Sequence, residues 1–450
     1  MNPPAVPLLS EAGVAFTTMA ILLIPLAFAG VALINTGLSR SRNAAHFMMS
    51  SVCVVAVATA TYFICGFAWQ GVIGGPAHVV SIQGKPWSWM AAQPLFWRGL
   101  EWNGSAASLT AWMQMLSVAL AALIPMGAAA ERWRLGPMCA STALLSAVTY
   151  PLFAHAAWGG GWLAQLGVNY GLGHGFVDAG GSGVIQTAGG LTALALAWIL
   201  GPRRGKYSPE GMPIAMPGHD AVYVLFGCLI AWLGWIGLNI AGAMLFTGMP
   251  TGRSALIGVN TTLAAGASAL MTAMVTRTRF GRPDASLTAN GWVAGLAASS
   301  AGCAFVPPAA ALLIGLVAGF LVPFAIENLE LRLSIDDPGG SISVHAIGGI
   351  WGMIAVGLFG RFPVPVLNTA ESLTRSPALT DNWQWLAQLV GVATLLGFVL
   401  PLTYALNWAL NRFLPHRVAP EGERQGLDLY ELGAGAYPEF MTHTDEFLQR

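Results

Sequence analysis

The dominant pattern in this chain is a succession of long apolar runs broken by short stretches rich in Gly, Pro, Asp and Arg. A bilayer core about 30 Å thick is crossed by about 20 apolar residues in helical form, so each run of that length predicts a span. Eleven such runs occur, at about 14 to 36, 47 to 69, 110 to 130, 135 to 156, 183 to 201, 221 to 245, 255 to 276, 288 to 304, 307 to 329, 342 to 360 and 386 to 411. The predicted fold class is therefore an all-α integral membrane protein of eleven transmembrane helices. A transmembrane domain over residues 1–412 precedes a tail, 413–450, which alone has soluble composition through Glu421, Glu423, Arg424, Asp428 and Glu431.

Within this pattern one stretch recurs. DAGGSGVIQTAGG (178 to 190) and DPGGSISVHAIGG (337 to 349) agree at six of thirteen positions without a gap. The first opens the fifth predicted span and the second the tenth, so the two enter the membrane from opposite sides. That is the mark of a five-plus-five inverted repeat, with halves at about 14–201 and 221–360 and an eleventh helix at about 386–411; such repeats place a solute path near the midplane. Asp178 and Asp337, each followed by Gly-Gly-Ser, suit helix N-caps, where a carboxylate also complements the positive helix end. Eight residues further, about 12 Å along a helix, stand Gln186 and His345. Polar side chains at that depth lack partners in lipid and are usually functional, although a hydrogen bond that only joins helices is the plainer alternative.

Composition agrees with the membrane reading: 55% of residues are hydrophobic and 9% charged, with 55 glycines, and small residues let helices approach closely in lipid. Net charge is zero, which removes any electrostatic case for nucleic-acid binding. The five cysteines show no metal-ligand or disulfide spacing and read as small core hydrophobes. Neither a metal nor a cofactor is expected, and no nucleophile–base pair or phosphate loop suggests an enzyme. The first twelve residues hold no Lys or Arg, so the first run reads as a retained helix and not a secretory signal. Short cytoplasmic loops collect Lys and Arg, and an N-out, C-in arrangement puts fifteen of the 20 basic residues inside, leaving Lys85, Arg98, Arg253, Arg361 and Arg375 outside. Residues 71 to 109 carry Trp87, Trp89, Trp97 and Trp102, fit for interfacial anchoring or a vestibule rim.

The chain also contains, in order, GAAAERWRL (127 to 135), HAAWGGG (155 to 161), DAGGSGVIQTAGG, PGHDAVYVLFG (217 to 227), WLGWIGLNIAGA (232 to 243), DDPGGSISVHAIGGIWG (336 to 352) and GLDLYELGAGAYP (426 to 438). In these motifs it resembles the ammonium transporter, methylammonium permease and Rhesus family, from about residue 30 to about 440. The resemblance implies a homotrimer in the plasma membrane, in bacteria the cytoplasmic membrane, with one pore per subunit. Ammonium would pass an outer vestibule, two stacked phenylalanines and two hydrogen-bonded histidines. A PII-type cytoplasmic regulator is a further partner it suggests, beside the lipid bilayer.

Carried over by position, His345 matches the second pore histidine, Trp158 the outer aromatic, Asp178 the structural aspartate, and Gln114 and Asn239 positions of the pore wall. Four positions depart. Gln186 stands at the first histidine, Ser117 and Leu238 at the two phenylalanines, and Gly242 at a vestibule serine. A glutamine amide hydrogen-bonds but does not titrate, so a two-histidine proton relay is not expected. The expected function is ammonium or ammonia transport, with transport of another small polar solute and a non-conducting ammonium sensor as alternatives. The tail, through Leu427, Leu429, Tyr430, Leu432 and Tyr437, is expected to pack on the cytoplasmic face and to touch a neighbouring protomer.

Overall fold

The computed structural model describes residues 10–362 and 381–437; Arg375, Arg450, Pro438 and the first nine residues lie outside them. Eleven helices form the body: Glu11–Leu38, Ser41–Gln70, Ala106–Ala129, Leu135–Trp158, Ser182–Leu200, Ala221–Thr247, Thr251–Phe280, Ala285–Ser300, Pro308–Leu333, Ile342–Phe359 and Gln384–Phe413. They are numbered here as spans one to eleven. Ten are long and apolar enough to cross a membrane, and the eighth has 16 residues, about 24 Å of helix. Local chemistry sets their starts. Ser10, Ser105, Asp220 and Asp284 accept backbone N–H groups at the beginnings of spans one, three, six and eight, which would otherwise lack partners.

The inverted repeat is visible in the packing. Span five's Gly190 lies against Ala346 of span ten, and span ten's Gly349 lies against Thr187 of span five. Moving along the chain by the 159 residues that separate Gln186 from His345 turns each contact into the other. Backbone bonds of 2.9 Å from Gly180 N–H to Ser300 O and of 3.1 Å from Gly339 N–H to Gly127 O fasten the equivalent glycines of the two repeat segments to spans eight and three. Spans one and six form a matching central pair: Gly30 admits Ala231 and Gly234 admits Ala27. A methyl at any of these glycines would collide with the facing backbone, so close approach explains their number.

One element was not expected from hydropathy. Residues Ala77–Ile82 (β1) and Lys85–Ala91 (β2) form an antiparallel hairpin, closed by Gln83 and Gly84 with φ of 53° and 74°, the left-handed pair that a tight hairpin turn requires. It caps one face of the bundle, called here the hairpin face. The opposite face carries the loops around Glu131, Arg203 and Asp336 together with residues 414–437, and is called the tail face.

Candidate functional site

The two repeat segments build the centre. Asp178 accepts N–H bonds from Gly181, Gly183 and Val184 at 2.8 to 2.9 Å, and Asp337 accepts from Ser341 and Ile342 at 2.9 and 2.7 Å. Each chain then turns into its helix through a glycine of positive φ, Gly181 at 94° and Gly340 at 68°, a conformation that costs glycine nothing. Both helices begin with a π-helical turn, Ser182–Thr187 and Ile342–Ile347, a local widening frequent at functional sites. Gln186 and His345 each sit in one of these turns. Gln186 Oε1 lies 2.7 Å from His345 Nδ1, both residues are at most 5% exposed, and the Gln186 Nε2 amide group has no hydrogen-bond partner.

Toward the hairpin face, Trp158 donates its indole N–H to Asp178 O at 2.6 Å, which ties the aromatic ring to the head of span five. Its indole is covered: the Phe246 ring stacks on it with centroids 4.0 Å apart and planes 8° from parallel. Gly242, one turn before Phe246, has no room for the serine side chain expected there, because a Cβ would stand 2.3 Å from Ala179 O. Asn239 donates to Thr261 Oγ1 at 2.9 Å and leaves its side-chain carbonyl without a partner. Leu238 is fully buried in the core, and Ser117 Oγ donates to Met113 O within its own helix at 2.8 Å. Gln114 accepts from Tyr62 OH at 3.0 Å and donates to Gly71 O at 3.1 Å, so both ends of its amide join spans two and three.

The family model for the Ammonium Transporter Family matches residues 15–437. The chain belongs to the ammonium transporter family. It is 37% identical over 423 residues to Ammonium transporter Amt2 of Archaeoglobus fulgidus, covering 92% of this chain and 85% of that one. It is 30% identical over 422 residues to an ammonium transporter of Bacillus subtilis, covering 93% and 97%. Among solved structures, a protein described as Sensor Amt Protein superposes with a TM-score of 0.80 at 28% identity, over 93% of this chain and 97% of that one. Mep2 of Candida albicans does so with a TM-score of 0.77 at 25% identity, over 97% and 92%. Membership of this family makes the chain a multi-pass membrane transporter protein and not an enzyme.

Several residues that position this family scaffold escaped sequence reasoning. His155, the first residue of HAAWGGG, bonds Gln70 O through Nδ1 at 2.7 Å and Ser88 Oγ through Nε2 at 2.9 Å, pinning the hairpin to spans two and four. On the tail face the tail's charged residues divide: Glu421 and Arg424 are exposed, whereas Glu423, Asp428 and Glu431 are engaged by the body. Glu423 and Asp428 are 3% and 1% exposed. Asp428 accepts from Ala45 and His46 N–H at 3.2 and 2.7 Å, near the head of span two. Glu431 accepts from Leu135 N–H at 3.0 Å, at the head of span four, and meets His46 Nε2 at 2.8 Å. Glu423 meets Arg204 N–H at 2.6 Å and Arg417 Nη2 at 2.9 Å. These carboxylates were legible as acidic but their partners were not, because each finds a helix N-terminus or a guanidinium only in three dimensions.

A pH dependence follows. Burial acts to raise the Glu431 carboxyl, but its hydrogen bonds to His46 and Leu135 outweigh that and hold it below the usual range. A group lowered in the folded state stabilises fully above its unfolded value of about 4.3 and loses that contribution as pH falls toward the folded value. Proteolysis of the 414–437 segment should therefore accelerate below about pH 4 and be unchanged between neutral and mildly acid pH. A rate that stays flat to acid would show that Glu431 does not hold the tail.

Proposed function

We propose that this protein conducts ammonium or ammonia along the axis between spans five and ten, with the hairpin face outside and the tail face in the cytoplasm. The observation that carries this reading is the Gln186–His345 pair at the crossing of the two repeat segments, with an amide group unsatisfied in a buried place. Leaving such a group without a partner costs about 1–3 kcal/mol, so the site favours an occupant that can bond to it.

The chemistry of the pair suits neutral ammonia. With His345 Nδ1–H donating to the amide oxygen, the pair offers the Gln186 NH2 as donor and the bare His345 Nε2 as acceptor. With the amide turned and Nδ1 accepting, it offers the carbonyl as acceptor and Nε2–H as donor. Either arrangement presents one donor and one acceptor, matching ammonia, which has both; ammonium has donors only. Because glutamine does not titrate, proton relay between two imidazoles is not part of this reading.

Uptake of methylammonium into proteoliposomes, with and without an inside-negative potential, tests it: flux above empty vesicles is expected. Gln186→His should change the rate or its potential dependence by about a hundredfold, the scale of one general acid–base group at its low end, whereas Gln114→Ala should act mainly on stability. Equal effects on flux would show that Gln186 only joins helices.

A second reading is favoured by the ring stacked on Trp158 and by the likeness to Sensor Amt Protein: binding of ammonium without conduction. Ligand binding in the absence of flux would establish it. Transport of another small polar solute remains the third reading, and competition of such solutes with methylammonium distinguishes it. Assembly as a homotrimer in a bacterial cytoplasmic membrane, contact of the tail with a neighbouring protomer, and recognition of the tail face by a PII-type regulator belong to the same proposal.

A further inference from the structure

Away from the central axis, a cavity of about 750 Å³ lies between spans four and eleven beneath the hairpin, with His78, Trp89, Trp162, Phe153, Gly397 and Phe398 among its walls. Span eleven is widened there by a π-helical turn at Leu395–Val399. Gly397 lies inside this turn, and a Cβ added to it would meet nothing within 4 Å. A local irregularity and a missing side chain thus hold open a space that tight helix packing would close.

The lining decides what can fill it. Apart from His78 and the indoles of Trp89 and Trp162 at the upper end, the one hydroxyl of the lining is that of Thr394, which donates to Val390 O at 2.8 Å in its own helix. A stable water needs two to four polar partners, and these walls do not supply them. A void left empty would forfeit dispersion contacts around its whole surface. The cavity opens sideways between two membrane spans, where Leu389, Leu396 and Phe398 are 40 to 49% exposed, so the medium that reaches it is hydrocarbon. Its span-eleven wall runs from Val390 to Phe398, about 9 to 21 Å along the helix from Gln384, from just below one membrane surface toward the midplane. At the surface end stand Trp89, tilted 30° against Trp162 at 5.8 Å, and the exposed His78; indoles favour the headgroup level.

We propose that the cavity between spans four and eleven is a binding site for one acyl chain of a phospholipid in the hairpin-side leaflet, with Trp89 and His78 at the level of its ester and headgroup. The site is independent of whether the central axis conducts.

The experiment is native mass spectrometry of the full-length protein after delipidation, titrated with a dioleoyl phospholipid. Gly397→Leu starts a side chain at the cavity wall, where a Cβ meets nothing within 4 Å, so it should fold. Gly258→Leu is the control, since a Cβ there also meets nothing within 4 Å but the residue lies on span seven, outside the cavity. Wild-type protein and Gly258→Leu should retain one tightly held lipid per chain, and Gly397→Leu should weaken that binding about tenfold. Ala393→Leu, on the same wall, should do the same and serves if Gly397→Leu is not recovered. Equal retention in all variants, or equal loss in the control, overturns the proposal.

Discussion

Replacing Phe246 with leucine should strengthen methylammonium binding by about tenfold, because it uncovers a face of Trp158 that can then hold a cation, an interaction of about 0.5 to 2 kcal/mol. In the native chain the Phe246 ring lies flat on that indole at 4.0 Å. A cation and a phenyl ring cannot share the same face, so a solute that uses Trp158 from that side must displace Phe246 and lose its stacking. Leucine keeps most of the apolar volume without a flat ring; alanine would add a cavity cost of about 3–5 kcal/mol and confuse the result. Binding by calorimetry and uptake into proteoliposomes should separate two roles. Tighter binding with faster uptake makes Phe246 a barrier on the path, while tighter binding without flux fits a sensor whose ligand site is guarded. Unchanged or weaker binding would mean that the covered face of Trp158 is not where the cation sits.

This residue also shows where sequence reasoning stopped. Eleven spans were legible because lipid demands about 20 apolar residues per crossing, and the boundaries of Glu11–Leu38 or Gln384–Phe413 differ from the predicted ones by only a few residues. The pair at the centre was legible because the repeat aligns Gln186 with His345. Phe246 was not, since an aromatic residue in an apolar helix carries no signal of which ring it will stack on. Gly242 was read as a substitution at a vestibule serine; the backbone carbonyl of Ala179 that closes on it was not legible, since no spacing along the chain reveals such an approach. The hairpin was hidden for a different reason: β1 and β2 are six and seven residues long, and Gln-Gly is a weaker turn signal than Asn-Gly or Asp-Gly.

Asp336→Ala should be the most destabilising single change on the tail face, at about 3–5 kcal/mol, the cost of stranding a buried charge. Asp336 is 3% exposed and Arg203 is 4% exposed. The carboxylate accepts from Arg203 Nε at 2.9 Å, Nη2 at 3.0 Å and the Arg203 N–H at 2.8 Å. Arg203 also reaches Glu131 at 3.0 Å, and Arg40 bonds to Glu131 in turn. Arg132 completes the cluster by donating to Gly201, Ala130 and Asp336 carbonyls at 2.8 to 3.2 Å. These residues follow spans one, three, five and nine, so one network ties the two halves of the repeat. Burial acts to raise the Asp336 carboxyl, yet the Arg203 hydrogen bonds and the charges of Arg132 and Arg203 outweigh it and hold it below the usual range. Its contribution is therefore complete above an unfolded value of about 3.9 and is lost as pH falls through the lower folded one. Thermal unfolding in detergent at neutral pH should show the full loss in Asp336→Ala, with Asp336→Asn intermediate because the amide keeps one acceptor. Adding Arg203→Met to Asp336→Ala should recover part of the loss, since it removes the stranded guanidinium. If Asp336→Ala unfolds within about 1 kcal/mol of the native chain, the cluster behaves as a solvated surface pair and does not hold the halves together.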